Sequence, residues 1–502
     1  MSLIVFTIVA FGFAGLSVGL RAHARAAATV GCLGLVATSL AAISIDPAQV
    51  VIIAGGALAT TAYLRLFLAL GSLVGLGLAV AGLAGGTRRD APTVTLAILG
   101  SCGLVLGLVD ARAAVLVATA GGLFGVILTL VPKGGRVGAT AGIRETRAVV
   151  VAGALAIAAT AWFGRDLSRL AAQPAVFGLA YLAFAVAVSI RFGAIPFHIW
   201  AARLADVVPE TTLPILTALA PASLAVVALA WTDASVTPLL VDLGAARAIV
   251  LAIAIASIIL AAVAAFVQDD IEHVLGYSIV GDAGVVILAL AALDPEAWAP
   301  ARIWILAFVV ARGAFAAWTA GVRAGFWTGR VADLRGWARR SPILAAAFIL
   351  VVVAGVGFPG LVAFDARRSI VDLALDGTLA TIVLLGTLTP LAYYGRLMAI
   401  GLAPADHVLE PIEAWRPRMP PYDRRAKRRW LRTTWDANRA FSTASVALLL
   451  GLLALATSAG AFGGPAAAAG LPPGLEVPGD GTEITEPIPS DGPSLPSESV
   501  AP

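Results

Sequence analysis

Apolar residues run through this chain in blocks of about twenty, separated by short polar connections. A helix needs a block of that length to cross a hydrocarbon core of roughly 30 Å. Blocks at 3–20, 27–44, 63–85, 92–109, 112–132, 147–164, 174–195, 212–232, 245–268, 271–293, 299–322, 341–364, 378–400 and 443–462 predict an all-α integral membrane fold of about fourteen transmembrane helices. The stretch 47–62 is apolar but short and contains glycines. It reads either as a re-entrant or interfacial piece or as the start of a long third helix. The amino terminus lacks a positive n-region and its apolar run is long, so it reads as the first membrane helix and not as a secretory signal. From about Gly463 the pattern stops. Residues 465–502 are rich in Pro, Ser, Gly and acids, too poor in apolar groups to offset ordering entropy, and are expected to be a disordered tail.

Composition agrees with a membrane domain. The chain of 502 residues is 60% hydrophobic and 13% charged, whereas a soluble protein keeps about a quarter of its residues charged. The net charge of +4 points to topology and not to nucleic acid, because the arginines sit in short loops between apolar runs. With the amino terminus and the tail outside, the inside loops carry Arg21 and Arg25, Arg88 and Arg89, Lys133, Arg136 and Arg144, Arg203, and Arg323 to Arg340. The last inside loop, 403–441, adds the basic run 416–432. This is the positive-inside pattern. Asp269, Asp270, Glu272 and His273 make one acidic inside loop, and acids weigh little in that rule. The run 416–432, with Trp415 and Trp430 nearby, is read first as a topology determinant and second as a patch for anionic headgroups.

No GxSxG, Walker loop, HExxH or strand-borne GxGxxG is present. The four histidines are scattered, and Cys32 and Cys102 fall in apolar stretches with no ligand spacing. The chain is therefore expected to carry no catalytic site and to bind no cofactor or metal itself. The chemistry to explain is charge inside apolar helices, at Arg191, Asp282, Arg312 and Arg367. A charge at membrane depth costs about 2.5–3.5 kcal/mol on insertion scales, so such residues usually face a bundle interior, pair, or line a wet path. The alternative is snorkelling to an interface, most open for Arg367 near a helix end. Asp282 is the candidate partner for either Arg191 or Arg312.

Helix-breaking residues stand beside these charges. Pro196 follows Arg191 by five residues, and Gly357, Pro359 and Gly360 precede Asp365 and Arg367. Proline removes a backbone donor, and a broken helix at membrane depth is tolerated where protein or water meets the freed groups. Two discontinuous helices, near Pro196 and Pro359, are thus predicted. Each is either an ordinary proline kink or part of an ion path.

Three segments carry a resemblance. RFGAIPFHIW resembles the broken seventh helix of the antiporter-like membrane subunits. DDIEHVLGYSIVGDAGVVILAL resembles the family's Tyr-Ser segment. LRGWARRSPILAAAFILVVVAGVGFPGLVAF resembles the stretch leading into its broken twelfth helix. The family comprises proton-pumping subunits of respiratory complex I, large subunits of Mrp-type sodium/proton antiporters and membrane-bound hydrogenase subunits. The match is best over 174–400, within a transmembrane domain of 1–464, and leans towards the subunit N (subunit 2-like) branch.

The resemblance implies a respiratory-chain subunit in a bacterial inner membrane, partnered by other membrane subunits of an NADH:quinone oxidoreductase or hydrogenase-type complex, and moving protons or sodium ions. It implies that the family's seventh-helix lysine falls on Arg191, its charged residue after the second break on Arg367, its Tyr-Ser histidine on Asp282 and its PFH histidine on His198. The chain departs from that pattern in three ways. The fifth-helix glutamate is replaced by an acid-free run in which Thr119 stands roughly at its place. The eighth-helix lysine falls near Pro221. Lys133 and Lys427, the chain's two lysines, both lie in loops. A buried lysine can release its proton, whereas arginine stays charged. Ion-translocation candidates are therefore Arg191, His198, Asp282, Arg312, Asp365 and Arg367. The readings left open are conduction through Asp282, His198 and water, a degenerate scaffold that conducts nothing, and an unrelated transporter gripping an anionic solute with Arg191 and Arg312.

Overall fold

The computed structural model describes residues 2–53, 56–84, 91–130, 135–162, 174–235, 243–326 and 328–404. The basic loop 403–441 beyond residue 404, the expected helix 443–462 and the tail 465–502 lie outside these residues.

The described residues form an almost wholly helical bundle. It opens with α1 (Leu3–Gly19) and α2 (Ala24–Ile43). The stretch 47–62 is not the start of a long third helix. It is a short antiparallel hairpin, β1 (Val50–Ile53) against β2 (Gly56–Ala59), with Val50 opposite Ala59. Val50, Val51, Ile52 and Ile53 are all β-branched, which favours an extended strand. Then come α3 (Ala62–Ala84), α4 (Ala91–Gly107), α5 (Ala111–Leu130) and α6 (Gly135–Trp162).

The second half begins with α7 (Pro174–Phe192) and the short α8 (Ile199–Ala205). A π turn over Ile215–Leu219 leads into α9 (Ala220–Ser235), followed by α10 (Gly244–Val267), α11 (Ile271–Ala292) and α12 (Trp298–Phe326). After the single turn α13 (Trp337–Arg340) come α14 (Pro342–Val356), α15 (Val362–Ala374), α16 (Gly377–Gly386) and α17 (Pro390–Leu402).

Eight of these helical segments are long and apolar enough to cross a bilayer. The protein is a multi-pass membrane protein. α12 is buried on every side and is the axis of the second half. α3, α11, α14 and α15 pack directly on it. A helix that is apolar all round belongs in such a position. Peripheral helices turn Ile8, Leu40, Leu179 and Leu260 outward, as lipid contact allows.

Two expected spans are interrupted. The block 341–364 stops as a helix at Val356, where Gly357 takes φ 64° and Gly360 φ 88°. Left-handed backbone of this kind suits glycine, and Pro359 contributes no donor. The block 378–400 was expected to be continuous. It breaks at Thr387–Thr389, between Gly386 and Pro390.

Candidate functional site: buried charges at three helix interruptions

At the first interruption α7 ends beside Arg191, Gly193 turns the chain with φ 65°, and the Ile195–Pro196 bond is cis. Protein groups take up the freed backbone. Trp200 Nε1 donates to the Ile190 carbonyl at 2.8 Å, and the Ile195 amide donates to Ser257 Oγ of α10 at 3.0 Å. This is the condition under which a helix can stop at membrane depth.

Arg191 is buried, with 5% of its surface exposed, so it does not snorkel. Its guanidinium lies against α5 at Gly122, where an added Cβ would stand 3.1 Å from Nη2. No hydrogen bond joins Thr119 to it. That hydroxyl donates to the Val115 carbonyl, and the residue packs on Gly153 of α6. The acid whose charge acts on Arg191 is Glu145, itself buried, from the first half of α6. Glu145 was missed in the sequence because it sits in the basic run RETR, two residues ahead of the apolar block. The helix in fact starts ten residues earlier, at Gly135, and carries the carboxylate into the bundle.

The second constellation surrounds Asp282, midway along α11. Arg312 of α12 donates from Nε to Asp282 Oδ2 at 2.6 Å, and from Nη1 to the Tyr394 hydroxyl of α17 at 2.6 Å. Arg312 is fully buried. Asp282 therefore pairs with Arg312 and not with Arg191. Gly355 of α14 makes room for this contact: a Cβ there would lie 2.9 Å from the Tyr394 hydroxyl. Tyr393 packs on Tyr394 with ring centroids 4.4 Å apart. Both tyrosines went unread in the sequence, since a Tyr-Tyr pair in an apolar block looks like ordinary core.

Arg367 is also buried, against the snorkelling alternative. Its Nη2 donates to the Gly357 carbonyl at 3.3 Å and its Nη1 to the Thr387 carbonyl at 3.5 Å. One guanidinium thus satisfies carbonyls freed at the second and third interruptions. It also lies over the Trp304 ring at 5.7 Å, and Trp304 Nε1 donates to the Asp282 carbonyl at 3.1 Å. A cavity of about 20 Å³ lies among Asp282, Ser278, Tyr277, Arg367, Thr387 and Tyr393, large enough for one water.

The candidates therefore divide. Asp282, Arg312 and Arg367 come together. Arg191 has separate neighbours, so it forms no common clamp with Arg312, whose Nε and Nη1 engage Asp282 and Tyr394. His198 is half-buried beside Tyr277, with ring centroids 6.0 Å apart. Asp365 is exposed on α15 and joins neither constellation. Pro221 is buried at the head of α9, just after the π turn.

Against known proteins, the family described as "NADH:quinone oxidoreductase/Mrp antiporter, TM" matches residues 157–391. Over those residues the chain is similar to the antiporter-like membrane subunits. The NADH-quinone oxidoreductase subunit N of Halorhodospira halophila is 30% identical over 235 residues, covering 45% of this chain and 46% of that protein. The corresponding protein of Rhodococcus opacus is 32% identical over 220 residues, covering 43% and 39%. The chain thus spans about half the length of the curated relatives it matches. Among solved structures, a chain of the Mrp complex from Dietzia sp. superimposes with a TM-score of 0.69 at 17% identity, covering 94% of this chain and 97% of that one. A chain of respiratory complex I from Thermus thermophilus gives 0.63 at 18% identity, covering 91% and 98%. These establish a shared antiporter-like fold.

Proposed function

We propose that this protein is a membrane subunit of a proton- or sodium-translocating complex of the complex I or Mrp type, with Asp282 as its exchanging group. The observation that carries the reading is the Asp282–Arg312 pair, buried among interrupted helices and bordered by a water-sized cavity. A carboxylate can take and release a proton, whereas arginine holds its charge. In this arrangement Arg312 and Arg367 are fixed positive charges that set the affinity of the carboxylate for a cation. Arg191 and Glu145 form a second, separate charged site at the first interruption. The subunit N relatives support a place beside other membrane subunits in a bacterial inner membrane, in an NADH:quinone oxidoreductase-like assembly.

The finer topology belongs to the same reading. About fourteen crossings, a transmembrane domain of 1–464, a basic cytoplasmic loop over 403–441, and an outside amino terminus and disordered tail follow from the apolar blocks and the arginine distribution.

The test is flux. With the full-length chain, in its complex, reconstituted into vesicles, Asp282→Asn should abolish proton or sodium movement while assembly persists. Unchanged flux would leave the second reading, a scaffold that conducts nothing. That reading is favoured by the placement of arginines where a relay calls for lysines.

A further inference from the structure

We propose that one face of α11 is the proton access route to Asp282, running from His273 at its amino end through Tyr277 to the cavity beside the carboxylate. The inference rests on the reading of Asp282 as an exchanging group and adds how a proton reaches it.

The helix period sets the stripe. His273, Tyr277 and Gly281 recur every four residues, so they stack on one side of α11, with Ser278 and Asp282 one position on. Nine residues of helix at about 1.5 Å each carry the stripe roughly 13 Å from the amino end to Asp282.

At the outer end, His273 Nε2 lies 3.0 Å from Asp206 Oδ1, at the end of α8, and Asp206 also meets Arg203. Both His273 and Asp206 are partly exposed there. Close by, Arg323 of α12 bridges the carboxylates of Glu272 and Glu210. Glu210 is buried, and its Oε1 has no hydrogen-bond partner among the described residues. This end of α11 therefore concentrates groups that hold and release protons, facing the side to which the arginine loops assign the cytoplasm.

At the inner end, Tyr277, Ser278, Gly281 and Asp282 all border the same cavity. Tyr277 also touches His198, whose buried Nδ1 has no partner among the described residues. Tyr277 thus lies one helical turn from His273, beside His198 at the first interruption, and on the cavity. The transfer conserves protons at every step. The His273 imidazolium gives up its proton. The Tyr277 hydroxyl takes one proton while passing its own to a water in the cavity, and that water passes one to the Asp282 carboxylate. A single proton moves inward and no other bond changes.

Gly281 supplies a variant that tests the route without disturbing the charges. A Cβ added there meets nothing closer than Ala261 Cβ at 3.8 Å, so Gly281→Ala should fold at least as stably as the parent. Its methyl group would intrude on a space the size of one water.

Proton uptake should be recorded with a pH-sensitive dye for the full-length complex in vesicles under an imposed potential, for Tyr277→Phe, Gly281→Ala and Asp282→Asn side by side. Melting temperatures of each would confirm folding. Tyr277→Phe and Gly281→Ala should each slow uptake on the order of tenfold, less than a fully positioned acid–base group supplies, because neighbouring hydroxyls and water still conduct. If Asp282→Asn is impaired while both other variants, folded, run at the parental rate, the route along α11 is wrong and the role of Asp282 survives. If Asp282→Asn itself runs at the parental rate, the functional reading falls and the route falls with it.

Discussion

Arg312 and Asp282 meet at 2.6 Å between α12 and α11, thirty residues apart in the chain and both buried. The contact places a complete ion pair in the most enclosed part of the bundle. Removing one partner of a buried pair leaves an uncompensated charge, a larger loss than the pair itself contributes. Arg312→Met should therefore destabilise the protein by about 3–5 kcal/mol. The double variant Arg312→Met with Asp282→Asn should recover part of that loss. Thermal melting in detergent reads both, and equal melting of the single and double variants would contradict the pairing.

Arg367 makes a different prediction, because its hydrogen bonds go to backbone carbonyls and not to a carboxylate. Its truncation in Arg367→Met leaves the carbonyls of Gly357 and Thr387 without their donor, a loss of about 1–3 kcal/mol. Hydrogen exchange should quicken together around 357–362 and 386–390, in two segments far apart in sequence. Arg367→Lys should protect at most one of them, since an ammonium lacks the planar fork that reaches both. Faster exchange at neither segment would show that Arg367 does not hold the interruptions.

Gly355 sets the clearance over the charged centre. A methyl at this position would press on the Tyr394 hydroxyl at 2.9 Å, and Tyr394 in turn accepts from Arg312. Gly355→Ala should cost about 1–3 kcal/mol by overpacking and lower flux by tilting Arg312 away from Asp282. Combining it with Tyr394→Phe, which removes the hydroxyl, should restore most of the stability. An additive double variant would rule out this clash.

Glu145 and Arg191 should prove coupled although no ion-pair contact joins them. A double-mutant cycle with Glu145→Gln and Arg191→Gln should show an interaction of about 0.5–3 kcal/mol. Because both groups are buried, moderate salt should change the coupling little. A coupling near zero would separate the two charges and return Arg191 to a purely packing role.

Much of this architecture was legible in the chain. Apolar blocks located the helices within a few residues at most ends, because twenty apolar residues have few alternatives to a membrane helix. Arg191, Asp282, Arg312 and Arg367 stood out because an ionised group in an apolar run is costly. Pro196 and Pro359 marked two interruptions, because proline cannot donate a backbone bond. What failed was local ambiguity. Gly386 and Pro390 flank a break that looked like a continuous span. The hairpin at 50–59 is too short for periodicity to declare it. Glu145 looked like a loop acid, but the helix begins at Gly135, twelve residues before the apolar block.

The amino-acid order alone determined that this chain enters a membrane, where its helices lie, and which residues have to be sheltered there. Those outcomes follow from local transfer energies, which each segment carries by itself. Only the tertiary structure decided that Asp282 answers Arg312, that Glu145 is buried on a helix packed against the one bearing Arg191, and that Arg367 turns its donors on two broken backbones. Partnership depends on which helix faces are turned towards one another, and that is settled by packing between segments distant in the chain.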